Sequence, residues 1–566
     1  MSEPPPGSAR RAVLCVFAAQ LVLLVLAAWR NGHQLNTDAV AYLRLAHYFA
    51  TGQTELGVSG YWSPLLVWLL VPGLKLGLDP LVAARAVMVF SAVVFFWGGL
   101  AVFRVFNLAA RETLLGACVL AASSVAWSVR TISPDLLVAG LLSFAVAALI
   151  EERWLADQRC AALAGCWWGL AYLAKAVALP LAVIIGVPLA WLVGSAAGDR
   201  RQAFRQLGVT LAAAFVVGMP WILTISFKYQ TATFSTTARI AHAVAGPADV
   251  DRYHPFARTF HQPEPGRVTA WEDPSRMPYR YWSPFDSGDH FRHQLGVMAG
   301  NLRTELAMIG GVDAGGLAEL ASRPGALNVA RALGGMDALW VGLLALGVCV
   351  WTPLRRGGAF IGERWRWAAV PCIGMMAVYL PVFLMREDQR YFQGLLPFLW
   401  IATVGAAAWW SKRRGPDAAR FASRLTSVCF ASFVSVASLW GVASLKGLPN
   451  SASRAAMELA TAMRAANLAG PVAGHALMQG GRAGLYTAWM LGEPWLGESA
   501  AATPGEFLNV GARFAIVMRG SALERAIESH AAFRDLDPIL ARSATGRPWL
   551  HAFEVLPPGA GARDVR

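Results

Sequence analysis

Residues 81–106 read LVAARAVMVFSAVVFFWGGLAVFRVF, with Arg85 near one end and Arg104 near the other as the charged residues. A helix crossing the hydrocarbon core of a bilayer needs about 20 mostly apolar residues. A helix apolar on every side belongs in a core or in lipid. Working outward, comparable runs lie near 12–29, 112–129, 134–150, 160–175, 176–195, 207–225, 336–353, 367–385, 391–410 and 425–445. With 81–106 they make about eleven spans, and 160–195 reads either as a broken hairpin or as one long tilted element. Composition agrees. Of 566 residues, 56% are hydrophobic and 15% charged, against roughly 25% charged in ordinary globular chains. The chain is a polytopic α-helical membrane protein. Disordered, collagen-like and disulfide-scaffold classes are excluded, and a soluble multidomain enzyme is disfavoured.

The formal charge is +14, from 49 basic and 35 acidic residues. Residues 226–335 hold 11 basic and 10 acidic side chains, and residues 446–566 hold 12 and 10. The excess therefore sits in the short connections between apolar runs, as the positive-inside rule requires. There is no basic stripe with interleaved aromatics of the kind nucleic acid demands. Arg104 and Arg111, Arg153 and Arg159, Arg200 to Arg205, Arg355 to Arg366, and Lys412 to Arg424 mark cytoplasmic connections. An odd number of spans puts the N-terminus inside and the C-terminus outside. The first run follows Arg10 and Arg11 and also fits a signal peptide; either way the first loop is outside.

The chain thus divides into a membrane unit, 1–445, with outer loops 30–80 and 226–335, and an outer C-terminal unit, 446–566. The tail reads as a small α/β domain. It has helix at Ser451–Asn467 and Ser521–Phe533, and strands at Pro471–Leu477, Ala512–Met518 and Trp549–Leu556. The seven cysteines lie in or beside apolar runs, without a C-x-x-C pair, and read as small buried hydrophobes.

The first outer loop carries the most chemistry. Asn36-Thr37-Asp38 opens an amphipathic stretch, Ala39–Thr51, with Tyr42, Leu43, Leu45, Ala46 and Phe49 on one face and Arg44 and His47 on the other. The helix dipole favours a charged Asp38 in its first turn. A helix cap and a functional acid both fit that position. Tyr61-Trp62-Ser63-Pro64 leads into a short apolar segment suited to the interface. Three more charged spots mark predicted outer span ends: Asp135, Lys175, and Arg390 with Tyr391. Intramembrane ionisable groups are functional candidates. Asp135 also fits a helix N-terminus, Lys175 a snorkelling side chain, and Arg386–Tyr391 a solvated turn. Sugar transfer from a lipid phosphate needs such a set, with a base for the acceptor hydroxyl and cations for the departing phosphate. His290 and His293, at i, i+3 in the long loop, lack clustered Cys or a clear carboxylate partner for a metal.

Asp38 followed by Tyr42, Tyr61-x-x-Pro64-Leu65, Ser133-Pro134-Asp135-Leu136-Leu137, Gly169-Leu170-Ala171-x-x-x-Lys175 and Arg390-Tyr391 occur in this order over roughly residues 12–445. Together they resemble the GT-C superfamily of integral-membrane glycosyltransferases, in particular the bacterial relatives of protein O-mannosyltransferases and lipid A aminoarabinose transferases. The resemblance implies a GT-C fold and a polyprenyl-phosphate sugar donor. The acceptor would be a lipid, glycan or protein, and the transfer inverting, at the outer face of the bacterial inner membrane. By it Asp38 is the catalytic acid-base residue. Asp135, Lys175, Arg390 and Tyr391 lie at the donor phosphate, and Tyr42, Arg44, Tyr61 and Trp62 line the substrate cavity. Many relatives carry a second acid directly after the first-loop Asp. Here Ala39 follows, so no metal ligand set is assigned and a divalent metal stays an optional cofactor. A lipid-linked sugar flippase would show repeated halves and midplane charges, which are not seen. A membrane scaffold leaves the placement of Asp38, Lys175 and Arg390 without a reason.

Overall fold

The computed structural model describes residues 6–250, 254–255, 259–310, 363–382, 389–414, 427, 430, 441–442, 444–447, 451–475, 481–499, 502–540 and 549–556. In chain order the helices used below are α1 (Pro6–Arg30), α2 (Thr37–Ala50), α3 (Pro64–Lys75), α4 (Pro80–Val105), α5 (Ala110–Arg130), α6 (Asp135–Ile150), α7 (Gln158–Ala174), α8 (Ala178–Ala197), α9 (Arg200–Tyr229), α10 (Gly288–Gly310), α11 (Ala369–Tyr379), α12 (Leu396–Arg414), α13 (Ser451–Ala465), α14 (Gly481–Leu491) and α15 (Ala522–Glu528).

Among the described residues, six helical segments are long and apolar enough to cross a bilayer: Arg10–Arg30, Pro80–Val105, Ala110–Arg130, Ala178–Ala197, Arg200–Tyr229 and Arg390–Trp409. The protein is a multi-pass membrane protein, but the expected eleven spans are not reached among these residues. The run at 336–353 and most of 425–445 lie outside them. The run at 134–150 forms α6, only 16 residues long and buried along almost its whole length. Its apolar surface meets other helices rather than lipid. Residues 160–195 resolve into α7 and α8, with the break at Lys175 in extended backbone (φ −155°, ψ 125°). The outer helices present apolar side chains outward. Val216 on α9 is 67% exposed and Val25 on α1 is 60% exposed, a surface that water would not tolerate as a continuous patch.

Helix ends follow local chemistry. Asp79 caps α4, accepting from the Leu81 and Val82 amides at 2.8 and 3.3 Å, and Pro80 opens the first turn. Helices α4 and α6 cross at Gly98 and Gly140, where a Cβ on Gly140 would meet the Phe95 backbone nitrogen at 2.6 Å. Small residues permit this approach, and it fixes the height of Asp135 at the start of α6.

The long loop departs from its expected form. It begins at 230 rather than 226, because α9 continues to Tyr229, and it contains the 23-residue α10. On α10, Gln294, Asn301 and Glu305 are buried while Phe291, Leu295, Leu302 and Leu306 are 42–49% exposed. This inverts the usual soluble amphipathic helix and suits a helix whose outer side meets lipid. Asn301 Nδ2 donates to the Leu380 carbonyl at 2.9 Å, which holds α10 to the end of α11.

The tail forms a five-stranded sheet of β1 (Val472–His475), β2 (Trp495–Ser499), β3 (Phe514–Met518), β4 (Phe533–Asp535) and β5 (Leu550–Val555), in the order β2-β1-β3-β5-β4. β1 pairs parallel with β2 and β3, and β5 pairs antiparallel with β3 and β4. β2, which contains Gly497 and Glu498, was not expected from the sequence, because these residues weaken the apolar signal. The expected helix 521–533 ends at Glu528, and its last residue begins β4.

The three segments assigned to the outside meet one another. Helix α2 packs on α14, the Leu35 amide donates to Ser453 Oγ at 3.3 Å, and the Trp495 amide donates to the Val268 carbonyl at 2.6 Å. They lie together at one end of the helical bundle.

Candidate active site

The site is assembled by contacts at the start of α2. Asn36 occupies the cap position in extended backbone but makes no side-chain cap bond. Its Oδ1 instead accepts from the Ile132 amide at 2.9 Å, and its Nδ2 donates to the Ile132 carbonyl at 3.3 Å. That exchange ties α2 to the turn before α6 and brings Asp38 beside Asp135. Asp38 lies one residue inside the helix and is not its cap. Its Oδ2 accepts from Arg390 Nη1 at 2.7 Å.

Arg390 comes from the 3₁₀ segment Gln389–Leu395 that leads into α12. Its Nε lies 3.7 Å from Asp135 Oδ2. Lys175 Nζ, delivered by the break between α7 and α8, pairs with Asp135 Oδ1. The ammonium also sits 4.1 Å from the centre of the Tyr391 ring, a cation–π distance, and Arg390 Cζ lies 5.2 Å from the same ring. Two carboxylates, two cations and one phenol ring thus meet from four separate elements. Lys175 is 21% exposed, Asp38 16% and Arg390 13%, but Asp135 only 5%, so Asp135 forms the floor and the others the reachable rim.

An aromatic group stands against this rim. Tyr42, one turn along α2 from Asp38, meets Trp62 at 5.0 Å between ring centres, and Trp62 meets Tyr61 at 4.7 Å and Trp271 at 5.1 Å. Trp62 Nε1 donates to the Trp271 carbonyl at 2.8 Å. Burial, and then the negative charge of Asp38, push the Tyr42 and Tyr61 hydroxyls well above their ordinary pKa. His254 packs on Trp271 at 4.7 Å and shares a 2.7 Å hydrogen bond with the Tyr279 hydroxyl. Burial pulls His254 down to about 4, with Asp38 opposing, so its ring is neutral near pH 7.

Trp271 and Tyr279 were not singled out from the sequence, and His254 was noted only as one of the histidines of the long loop. Thr269-x-x-Glu272 does carry the capping-box signature, and the box is present. What holds it is a charge network with no local sign. Glu272 is fully buried; it accepts from the Tyr48 hydroxyl at 2.8 Å and lies 3.8 Å from Arg44 and 3.6 Å from Arg267. Asp273 pairs with Lys228 at 2.9 Å and with the Tyr229 hydroxyl at 2.7 Å. Burial raises Glu272 above the ordinary carboxylate pKa in spite of these partners.

Arg44 is the sequence candidate that does not join Asp38. Its guanidinium contacts Tyr48 and Glu272, and with His47 it lines a separate cavity of about 290 Å³ against Met457, Arg464 and Trp489. Tyr281-Trp282-Ser283-Pro284 repeats residues 61–64 but sits elsewhere, with Trp282 stacked on His242 at 4.3 Å. His290 pairs with Asp249 at 3.2 Å, while His293 bonds the Ala245 carbonyl at 2.7 Å, so the two rings serve different partners. Among the described residues, the groups of three metal-ligating side chains that converge both include His551, in the C-terminal unit.

No family model matches the chain, and no curated protein does. Solved structures do. The oligosaccharyltransferase of Archaeoglobus fulgidus, in complex with Zn and sulfate, aligns over 90% of this chain and 68% of its own, with a TM-score of 0.52 at 13% identity. ArnT from Cupriavidus metallidurans, bound to undecaprenyl phosphate, aligns over 96% and 97% with a TM-score of 0.46 at 15% identity. The mycobacterial arabinofuranosyltransferase AftD aligns over 98% and 40% with a TM-score of 0.43 at 14% identity. The likeness to the archaeal enzyme shows that the two chains share a fold.

Proposed function

We propose that this chain is an inverting membrane glycosyltransferase that moves a sugar from a polyprenyl-phosphate donor to an acceptor hydroxyl, at the outer face of a bacterial inner membrane. The convergence of Asp38, Asp135, Lys175 and Arg390 from four distant segments carries the reading. The GT-C fold supports it.

In this reading Asp38 takes the proton of the acceptor hydroxyl. The acceptor oxygen forms its bond to the anomeric carbon as the bond from that carbon to the phosphate oxygen breaks, from the opposite face. The polyprenyl phosphate departs with the electron pair, and Lys175 and Arg390 stabilise its growing charge. Asp135 and the Tyr391 ring keep both cations in place before the donor arrives, so little reorganisation is left for the reaction step. Tyr42, Trp62 and Trp271 are almost fully buried and back the rim, and Tyr61, half-buried, is the ring of this group that can meet a sugar or acceptor.

Purified protein in detergent, given a polyprenyl-phosphate sugar and candidate acceptors, should transfer the sugar with inversion at the anomeric centre. Lys175→Ala should weaken binding of a polyprenyl-phosphate donor by about tenfold or more, since charge-assisted bonds are the strong ones. A donor titration that gives equal affinity for both proteins would remove Lys175 from the phosphate site. The orientation has its own check. A reporter fused after Arg566 should behave as extracytoplasmic and one fused near Arg413 as cytoplasmic. The opposite pattern would place the Asp38 cluster on the inner face.

A further inference from the structure

The C-terminal unit holds a second concentration of titratable groups, remote in sequence from the first. His551, on β5, is 3% exposed. Its Nδ1 lies 2.7 Å from Glu524 Oε1, and its Nε2 lies 2.7 Å from Asp535 Oδ1. Glu528 is 3.9 Å from Nδ1, and Asp537 is 3.9 Å from Nε2. Arg519 pairs with Asp537. One imidazole is thus flanked by four carboxylates.

A neutral imidazole carries a single N–H. If Nε2–H donates to Asp535, the lone pair of Nδ1 faces a carboxylate oxygen at hydrogen-bond distance, and two such acceptors side by side repel. A second proton or a metal ion must stand there. Glu524 and Glu528 are one turn apart on α15, on the face turned to Nδ1. The three ligand atoms fall within 4.8 Å of one another. Zinc bonds to nitrogen and carboxylate oxygen are about 2.0–2.2 Å, which puts tetrahedral ligands roughly 3.3 Å apart; the observed 2.7 and 3.9 Å from Nδ1 lie on either side of that. The other carboxylate oxygen of Glu524 is already oriented by the Gly520 amide. A metal-ligating histidine typically donates its other N–H to a carboxylate, which is the position of Asp535.

We propose that the C-terminal unit binds one first-row divalent metal ion through His551 Nδ1, Glu524 and Glu528, with Asp535 orienting the ring from behind. One imidazole with two carboxylates favours a zinc-like ion over calcium or magnesium, which prefer all-oxygen sets. The ion would fasten α15 to β5, in the unit whose helix α14 packs on α2.

The test uses the full-length protein in detergent, stripped with EDTA and titrated with Zn²⁺ by calorimetry near pH 7. Wild type should bind an equivalent that is weakened at least about tenfold in Glu528→Gln. Glu528 is half exposed and, among the described residues, its ion contact is His551, so this change is expected to leave folding intact. Asp535→Asn should weaken the same equivalent by about 10–100-fold, whereas Asp38→Asn should leave it untouched. Absence of Zn²⁺ binding in wild type overturns the proposal, and a proton then fills the position. Binding that is unchanged in Glu528→Gln, or lost in Asp38→Asn, overturns it equally. None of these outcomes depends on sugar transfer.

Discussion

Asp38→Asn is expected to lower the sugar-transfer rate by about 10²–10⁴-fold, the usual worth of a positioned general base, while thermal stability and donor affinity stay close to wild type. Asparagine keeps the shape of the side chain, and its carbonyl still accepts from Arg390 Nη1, now 2.7 Å from the aspartate oxygen. It cannot accept the proton of an attacking hydroxyl. The competing role, a helix cap, does not apply, because Asn36 holds that position and Asp38 turns to Arg390. The alternative that needs separating is a purely structural ion pair. In that case the asparagine variant would lose stability, and activity would fall only in proportion to the folded fraction. Initial rates normalised to folded protein distinguish the two. Full normalised activity would leave Asp38 as a brace for Arg390 and would end its role as base.

The second large effect is on stability. Arg267 is almost fully buried among acids, with Nε 2.8 Å from Glu264, Nη1 3.6 Å from Glu272 and Nη2 3.6 Å from Asp273. Burial works against its charge, but Asp273, Glu264 and Glu272 hold its pKa above the ordinary value. Removing one partner of a buried ionic group costs about 3–5 kcal/mol, because the remaining charges are left without compensation. Arg267→Met should therefore loosen the segment from Glu264 to Asp273 and free Trp271 from Tyr61 and Trp62. Faster proteolysis within that loop and a lower unfolding temperature are the readouts. Adding Asp273→Asn should recover part of the loss, since it removes one orphaned charge and the two sites are coupled. If Arg267→Met proved as resistant to heat and protease as wild type, the network would be shown to contribute little to holding Trp271.

Some of this was present in the chain itself. The 81–106 stretch coincides with α4 to within one residue at each end, and the runs that begin at 112 and 391 became α5 and α12. Lipid responds to the local sum of side-chain polarity over one helix length, so a window of sequence contains the needed information. The tail's strands at 472–475, 514–518 and 550–555 were legible for the same reason, as short apolar runs between turns. The Asp38, Asp135, Lys175 and Arg390 candidates were legible too, as charges interrupting or bounding apolar runs, where an ion is costly without a purpose.

What each charge does was not local. A helix cap and a functional acid fit the same residues 36–39, and the cap position went to Asn36, whose side chain bonds Ile132 96 residues away. The partner of Asp38 is 352 residues away. Tyr42 and Arg44, on opposite faces of one amphipathic helix, were both cavity candidates, and Glu272, delivered by the long loop, holds Arg44 away from Asp38. The 134–150 run had the composition of a span, but its place between α4 and α7 was not legible, because enclosure depends on neighbours rather than on hydropathy. The sequence by itself determined immersion in the bilayer, the polar segments between spans and the α/β character of the tail, because these follow from sums over neighbouring residues. The tertiary structure alone decided which charges meet, because Coulomb and hydrogen-bond energies depend on distance through space, and folding sets that distance independently of separation along the chain.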